Sequence, residues 1–510
     1  MKIFIATYYH IRHGTAIKID MANLRQIFSK RPLEIIKGIM YIDCTLLKRF
    51  GEDVYMDFPY LREQDPEVYE LVKQEEQKQQ YKLSMIPSEN FSSPAVREAL
   101  ASVFVHKYAE GYPRKRYYEG NQFVDSLEEL CQRRARQAFS LPDDWHVNVQ
   151  PLAGANSNLA VYNALLEPGD TILSMYLPDG GHLSHGWSFP EQDEQGLEGQ
   201  VEQSIYLGGK RKISIVSKFF KVVQYKVERD SRLFDYKKIM GIAKEYRPKM
   251  IISGGTAYPR EIDYEALHSI ANEVGAYYLA DIAHEAGLVA AGANKSPVGK
   301  ADVITFTTHK TIRGPRGAVI LCRGELADKI DFGVFPGLQG GPFEHTIAAL
   351  AVCLKEACTP AFKEYAFQVV KNAKRLAQKF IEKGYDVVSG GTDKHLVLID
   401  MRSRNLSGRN PAKALDQAGI IVNRNSVPNE TGSPMNPSGL RMGTPTITTR
   451  GMKEREMDQI AEWIDRVIKI VGPYCELKPA EFEKKIKNMP ELDSMAAEVK
   501  SLCQKYPLTI

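Results

Sequence analysis

From about residue 150 the chain alternates short unbroken apolar runs with stretches whose apolar residues recur every three or four positions. The runs predict strands at Thr171–Met175, Lys221–Val227, Lys249–Ser253, Tyr277–Asp281, Asp302–Phe306 and Ala318–Cys322. The stretches between them predict helices, as in Tyr264, Leu267, Ile270, Ala271 and Val274. Strands separated by helices imply an α/β fold with a mostly parallel sheet covered on both faces. In such sheets ligands bind beyond the carboxyl ends of the strands. Upstream, Asp65-Pro66-Glu67 starts a helix through Val68, Leu71 and Val72 to near Tyr81, the Asp as N-cap and the Pro at the first helical position.

Downstream, a long helical stretch (about 345–384) gives way near Gly390-Gly391 to a different pattern. A strand at His395–Asp400, a helix from about Pro411, a strand at Ile420–Asn423 and two closing helical segments predict a smaller α+β domain. The expected organisation is an extension (1–53), a helical arm (54–90), a large domain (91–385) and a small C-terminal domain (386–510).

Composition narrows the class. A chain of 510 residues exceeds one ordinary core, and 43% hydrophobic with 25% charged residues excludes wholesale disorder. Residues 1–40 hold seven Lys or Arg against two Asp or Glu, so the net charge of +4 sits in that tail and the body is neutral. A neutral body argues against nucleic acid as a partner. No apolar run approaches the roughly 18–20 residues of a membrane-spanning helix. The N-terminus has too short an apolar core for a secretory signal and lacks the Ser and Arg enrichment of a transit segment. Seven scattered cysteines with no Cys-x-x-Cys pair indicate neither a disulfide framework nor a zinc site, so no metal is expected and the reducing cytoplasm is the expected location.

The candidate chemistry lies at the strand ends. Asp281 closes one strand and is followed by Ile-Ala-His284; Lys310 comes 29 positions later in Thr307-Thr308-His309-Lys310, just past the next strand. A lone lysine there reads as a solvated loop residue, but Asp281, His284, Thr307 and His309 at matching strand ends call for more. A carboxylate to hold a pyridinium proton and a lysine to form a Schiff base suit pyridoxal phosphate. Leu152-Ala153-Gly154-Ala155-Asn156 precedes a helix (Ser157–Leu166), and small residues there let backbone N–H groups face a phosphate. Gly337-Leu-Gln-Gly340-Gly341-Pro342 is a second loop able to approach one closely, or simply a turn. Gly180-Gly181-His182-Leu183-Ser184-His185-Gly186 places an imidazole suited to stack on a pyridine ring. Tyr108-Ala-Glu110-Gly-Tyr112-Pro-Arg-Lys-Arg-Tyr117-Tyr118 is aromatic and basic enough to stack on nucleic acid, a reading the neutral body opposes.

With Pro87-Ser88-Glu89-Asn90-Phe91, Val422-Asn-Arg-Asn425-Ser-Val-Pro428 and Ser438-Gly-Leu-Arg441-Met-Gly-Thr444, these motifs closely resemble serine hydroxymethyltransferase from about Tyr55 to the C-terminus, with one interruption. The resemblance implies a fold-type-I pyridoxal phosphate enzyme of the aspartate aminotransferase type, a homodimer or dimer of dimers with shared active sites. It implies transfer of the serine hydroxymethyl group to tetrahydrofolate, giving glycine and 5,10-methylenetetrahydrofolate. Lys310 then carries the Schiff base, Asp281 pairs with the ring nitrogen and His182 stacks on the ring. Thr256 and His284 lie near the phenolic oxygen, while Gly154 and Ala155 hold the phosphate with Tyr108, Gly340 and Gly341 from across the subunit interface. Arg441, Ser88 and Tyr118 clamp the substrate carboxylate, the planar guanidinium making two parallel hydrogen bonds. Glu110 is the implied general acid–base near the serine hydroxyl and the folate, and so also a folate-contacting residue. Leu177, Gly181, Leu183, Asn425 and Ser433 match folate-contacting positions.

The chain departs from the family pattern at Ala153 (usually a serine that bonds the phosphate), Arg114 (usually glycine, here adding charge beside the tyrosine pair) and Met435 (often Phe near the pterin). Between Trp187 and Ser217 the chain is roughly 25 residues longer than the family's short connection; this insertion (187–216) begins acidic (Glu191, Asp193, Glu194, Glu198) and ends basic (Lys210, Arg211, Lys212). It is expected either beside the active-site mouth or as a passive surface hairpin. Residues 1–53 have no counterpart; they are an arm, or translation starts downstream, for instance at Met56. A folate-independent aldolase or transaldolase for β-hydroxy amino acids would need Lys310 and Asp281 equally, but not Asn425 or the Leu177–Leu183 positions. A catalytically silent binding relative would be expected to lack Lys310 or Arg441.

Overall fold

The computed structural model describes residues 58–189 and 205–508. The 1–53 extension, Met56 and the acidic half of the insertion lie outside them. Asp65 starts the first long helix, α1 (Pro66–Tyr81), its Oδ1 accepting from the Val68 amide at 3.0 Å. Helix α2 is Gln122–Ala138. The main sheet has eight strands: β1 (Trp145–Asn148), β2 (Thr171–Met175), β3 (Ile205–Tyr206), β4 (Lys221–Tyr225), β5 (Met250–Ser253), β6 (Tyr277–Asp281), β7 (Val303–Thr307) and β8 (Ala318–Arg323). Their spatial order is β1-β8-β7-β6-β5-β2-β4-β3, and all run one way except β8 and the edge strand β3. The central strands are buried on both faces, which is why they read as continuous apolar runs rather than alternating ones.

Helix α3 (Gly154–Leu165) runs between β1 and β2. Helix α4 (Tyr236–Tyr246) precedes β5, and α5 (Tyr264–Val274) precedes β6. The last begins where Asp263 accepts from the Ala266 amide at 3.0 Å and ends at Gly275, whose φ of 68° suits the left-handed cap. It buries Tyr264, Leu267, Ile270 and Ala271, the face its spacing predicts.

The single long helix expected over 345–384 is two helices, α6 (Glu344–Ala357) and α7 (Pro360–Glu382). Thr359 caps the second by accepting from the Phe362 amide, and Pro360 cannot donate to the turn before it. Beyond them, β9 (Asp386–Val387), β10 (Leu396–Asp400), β11 (Asn423–Asn425) and β12 (Gly439–Gly443) form an antiparallel sheet in the order β9-β10-β12-β11. The expected strand Ile420–Asn423 is therefore divided: Ile420–Ile421 pairs in parallel with Leu83–Ser84, and Asn423 opens β11. Helices α8 (Glu454–Val471) and α9 (Pro490–Lys505) pack here. This second core takes in Leu83, Met85 and, from α7, Leu376, Ala377 and Phe380, so it draws on residues well before 386.

Two strands lacked a legible signal. One is β1; the other is β3, only two residues long, which returns from the insertion to pair antiparallel with β4. Ser188–Phe189 pairs with Arg211–Lys212 at the insertion's base.

Candidate active site

Asp281 is the last residue of β6, and Lys310 lies three residues past β7, the neighbouring parallel strand. Both are buried. Asp281 Oδ2 accepts from Asn158 Nδ2 at 2.8 Å and from His185 Nε2 at 2.9 Å, while Oδ1 accepts from the Ala283 amide at 3.0 Å. Burial alone would raise this carboxyl; the bonds from His185 and Asn158 and the nearby imidazoles outweigh it and hold the group well below the usual carboxylate range. Lys310 makes no ion pair among the described residues, and burial pulls its amine down to about 8 against the opposing pull of Asp281. It is therefore a nucleophile in part at neutral pH, as Schiff-base chemistry requires.

His182 caps its own short turn: its Nδ1 accepts from the Ser184 amide at 3.1 Å and lies 2.7 Å from Ser184 Oγ. The amide donor fixes Nδ1 as the acceptor, so the ring is neutral with its proton on Nε2, consistent with burial lowering it to about 4. Asn158, one turn into α3, joins the two residues, donating to Ser184 Oγ at 2.8 Å as well as to Asp281. Thr305 Oγ1 on β7 donates to Asn158 Oδ1 at 2.7 Å and fixes the amide's orientation.

The small sheet supplies the cation. Arg441 sits in β12, opposite Leu398 on one side and Asn423 on the other. Its Nε donates to Asn423 Oδ1 at 3.0 Å and its Nη1 to the Thr256 carbonyl at 2.5 Å. It has no carboxylate partner among the described residues, and burial lowers it to about 10. Thr256 in turn is bound to the His182 loop, its amide donating to the Gly180 carbonyl at 2.7 Å and its hydroxyl to the Gly181 carbonyl at 2.9 Å. His284 Nδ1 faces His395 Nε2 at 3.2 Å with the rings stacked, and burial and then the Lys310 charge keep His284 well below its ordinary range. Thr307 Oγ1 donates weakly to the Ala283 carbonyl at 3.4 Å. His309 faces Arg316 at 3.5 Å and is lowered to about 4, first by burial.

These residues fit pyridoxal phosphate. A largely buried, ionised carboxylate and a buried lysine lie within electrostatic reach of each other, and of a neutral imidazole. Helix α3 presents Gly154 at its N-terminus with no side chain capping it, Ala153 being unable to do so. A Cβ at Gly154 would come within 2.5 Å of Thr307 Cγ2, so backbone alone fits there. Ala155 beside it is exposed.

A second group gathers elsewhere. Tyr108 Oη and Tyr118 Oη donate to the two oxygens of Glu110 at 3.4 and 3.2 Å, and the two rings meet edge to face at 5.5 Å. Gly340 and Gly341 lie against Glu110 and Tyr108, where a Cβ would meet Glu110 Oε1 at 3.0 Å and Tyr108 Cε1 at 3.3 Å. Among the described residues no hydrogen bond joins Tyr108, Glu110 or Tyr118 to Lys310, Asp281, His182 or Arg441. The group rests on a buried charge cluster. Arg116 donates to Asp125 Oδ1 at 2.9 Å, to Glu128 Oε1 at 2.5 Å, and to the Ala109 and Gly111 carbonyls on either side of Glu110.

Arg114, expected to charge the tyrosine pair, instead pairs with Glu129 at 2.9 Å and adopts a φ of 64°. Its left-handed backbone explains why glycine suits that position. Ser88 and Leu177 are half-buried and Leu183 is half-exposed; Ser433 and Met435 lie on an exposed loop. Asn425 donates to the Ser426 carbonyl at 2.7 Å. The sequence reading missed Asn158, Ser184, His185, His395 and Asn423 as site members. His185 stood in a quoted motif, and Asn158 stands one helical turn after Gly154, the only local cue to it.

The family model for serine hydroxymethyltransferase matches residues 61–464. A serine hydroxymethyltransferase of Acidothermus cellulolyticus is 46% identical over 443 residues, covering 87% of this chain and 95% of the relative. That of Desulfotalea psychrophila is 46% identical over 447 residues, covering 88% of this chain and 95% of the relative. That of Sorangium cellulosum is 47% identical over 447 residues, covering 88% and 96%.

Proposed function

The chain belongs to the serine hydroxymethyltransferase family, and from that premise we propose how its own residues divide the work. It is a fold-type-I pyridoxal phosphate enzyme that moves the serine hydroxymethyl carbon reversibly to tetrahydrofolate, leaving glycine and 5,10-methylenetetrahydrofolate. The observation that carries the assignment of roles is the buried Lys310 amine sharing its surroundings with ionised Asp281 and with Arg441, a guanidinium without a carboxylate partner among the described residues.

When bound, pyridoxal phosphate supplies an electron sink for the bonds at the amino-acid α-carbon. Lys310 anchors it by its amine. Asp281, kept ionised by Asn158 and His185, holds the proton on the ring nitrogen. His182 would stack on the ring, and Thr256 and His284 would lie near the phenolic oxygen. Gly154 and Ala155 receive the phosphate at the uncapped start of α3. Arg441, with Ser88 and Tyr118, would clamp the substrate carboxylate and orient the amino acid. Glu110 exchanges a proton with the serine hydroxyl, and Leu177, Gly181, Leu183, Asn425 and Ser433 receive the folate. Thr307 and His309 shape the strand end beneath Lys310.

The active assembly is a homodimer or dimer of dimers in which Tyr108, Glu110, Tyr118, Gly340 and Gly341 complete the neighbouring subunit's site. Their separate hydrogen-bonded group supports this, as does exposed apolar surface at Tyr108, Tyr117, Phe123 and Phe343. No helix among the described residues is long and apolar enough to cross a membrane; the cytoplasm is the proposed location. The division into a large domain (91–385) and a small one (386–510) is likewise a proposal. Absorbance spectra of the purified protein test the function. A yellow protein whose spectrum with glycine gains a strong long-wavelength band only when tetrahydrofolate is added is expected. A glycine spectrum indifferent to tetrahydrofolate would point to the folate-independent aldolase instead.

A further inference from the structure

The insertion does not stop at the surface. Its returning strand β3 pairs with β4, with Ile205 opposite Tyr225 and Tyr206 opposite Gln224. Tyr206 is 4% exposed, and its ring meets Tyr176 at 5.0 Å and Trp187 at 5.7 Å, which meet each other at 5.5 Å. Its phenol donates to the Ser188 carbonyl at 2.8 Å, while Ser188 Oγ accepts from the Gly209 amide. Tyr176 and Trp187 are the two ends of the loop that carries Leu177, Gly181, His182 and Leu183. Within that loop the Gly180 amide donates to the Leu177 carbonyl and the Gly181 amide to the Tyr176 carbonyl. Gln224, the residue opposite Tyr206, donates to the Met175 and Gly186 carbonyls at 3.0 Å each, just outside and just inside the same two ends. The Ile213 and Ser214 amides donate to the Trp187 carbonyl.

We infer that Tyr206 is a positioning residue for tetrahydrofolate: by packing on Tyr176 and Trp187 together it holds the Leu177–Leu183 loop in the conformation that receives the co-substrate. The inference rests on the reading of that loop as part of the folate site. Tyr206 touches neither co-substrate nor cofactor and acts through the loop's two anchors. Losing its ring forfeits two aromatic contacts and lowers the fraction of molecules with the loop in place, and the apparent dissociation constant rises by the inverse of that fraction.

The full-length holoenzyme carrying Tyr206→Ala tests this. Its tetrahydrofolate KM, and its tetrahydrofolate Kd by calorimetry in the presence of glycine, are expected to rise about two- to tenfold. The turnover number, the serine KM and the folate-free cleavage of a β-hydroxy amino acid should stay within about twofold of wild type, because His182 keeps its separate anchor through Ser184 and Asn158 to Asp281. Tyr206→Phe keeps the ring and should bind tetrahydrofolate as wild type does; Tyr206→Leu, which keeps much of the buried volume, should behave as Tyr206→Ala and serves if the alanine variant fails to fold. Losses of equal size in folate-free cleavage and cofactor retention would overturn the inference in favour of general destabilisation. Leu183→Ala separates the two levels of the argument. If it leaves the tetrahydrofolate Kd unchanged, the reading of the loop falls and the inference with it. If it weakens binding while the Tyr206 variants do not, the inference alone falls.

Discussion

Replacing Arg116 with methionine should separate what the buried charge cluster does for stability from what it does for the Glu110 segment. The Arg116 side chain is 4% exposed and that of Glu128 is fully buried. Removing the guanidinium strands Glu128 without its cation and frees the Ala109 carbonyl, while the Gly111 carbonyl keeps only the bond from Gln150 Nε2 at 2.9 Å. Breaking a buried pair in this way costs about 3–5 kcal/mol. Burial already holds the Glu128 carboxyl above its usual range, with Arg116 as the leading opposing influence. Glu344, raised to about 8 by burial and then by Glu128, is also restrained by Arg116. Without Arg116 both folded-state values climb further. A carboxyl whose folded value exceeds its unfolded one, about 4.3, favours the folded state while protonated and loses that advantage as pH rises. The deficit of Arg116→Met against wild type should therefore grow with pH, by up to about 1.4 kcal/mol between pH 5.5 and pH 8 for each unit of added elevation titrated in that window. Urea unfolding of the two proteins at both pH values, followed by tryptophan fluorescence and circular dichroism, measures it. Arg116→Met with Glu128→Leu should recover most of the stability, since an apolar replacement of a buried pair is often neutral. The double variant should still be slow with serine and tetrahydrofolate, because the segment carrying Glu110 loses the Arg116 bonds to the Ala109 and Gly111 carbonyls, of which only Gly111 keeps a second donor, Gln150. A deficit under about 1 kcal/mol, or one equal at both pH values, would refute the reasoning.

Arg441→Lys should raise the serine KM roughly 10- to 100-fold, because an ammonium cannot make two parallel bonds to a carboxylate; steady-state kinetics against serine checks it. The rate at which apoprotein captures pyridoxal phosphate should rise with pH through about 8, as Lys310 loses its proton; stopped-flow absorbance from pH 6.5 to 9 reads it. Ala153→Ser should tighten cofactor binding about fivefold by restoring one hydroxyl contact of about 1 kcal/mol at the start of α3, measured by equilibrium titration of the apoprotein.

Asp281 and Lys310 were legible because each follows an apolar run of strand length, and adjacent parallel strands bring their carboxyl ends together. His185, Asn158 and His395 were not. Their partners lie 96, 123 and 111 residues away, and no local spacing encodes a tertiary bond. Strand β3 was invisible for another reason: two residues give no period, and pairing with β4 alone defines them. The break between α6 and α7 was written in Thr359-Pro360, but apolar spacing continued across it and concealed the stop. Glu110 was found by motif, whereas its place in a group apart from Lys310 depends on how Arg116, Asp125 and Glu128 fold the segment.

The strap from Leu83 to Asn90 has a consequence for the order in which the chain is made. Leu83–Ser84 pairs with Ile420–Ile421, the Gly443 amide donates to the Met85 carbonyl, and Arg450 binds the Gln79 and Gln80 carbonyls. Asn90 then reaches the Lys310 carbonyl and accepts from Thr449. A ribosome delivers this strap some 330 residues before its partners, so the large sheet can close while α1 and the strap wait unpaired. The second core, and with it Arg441, is completed only as the C-terminal helices emerge. Cofactor capture at Lys310 can therefore precede competence for serine, and a nascent chain stalled before Gly439 should hold pyridoxal phosphate without being able to clamp a substrate carboxylate.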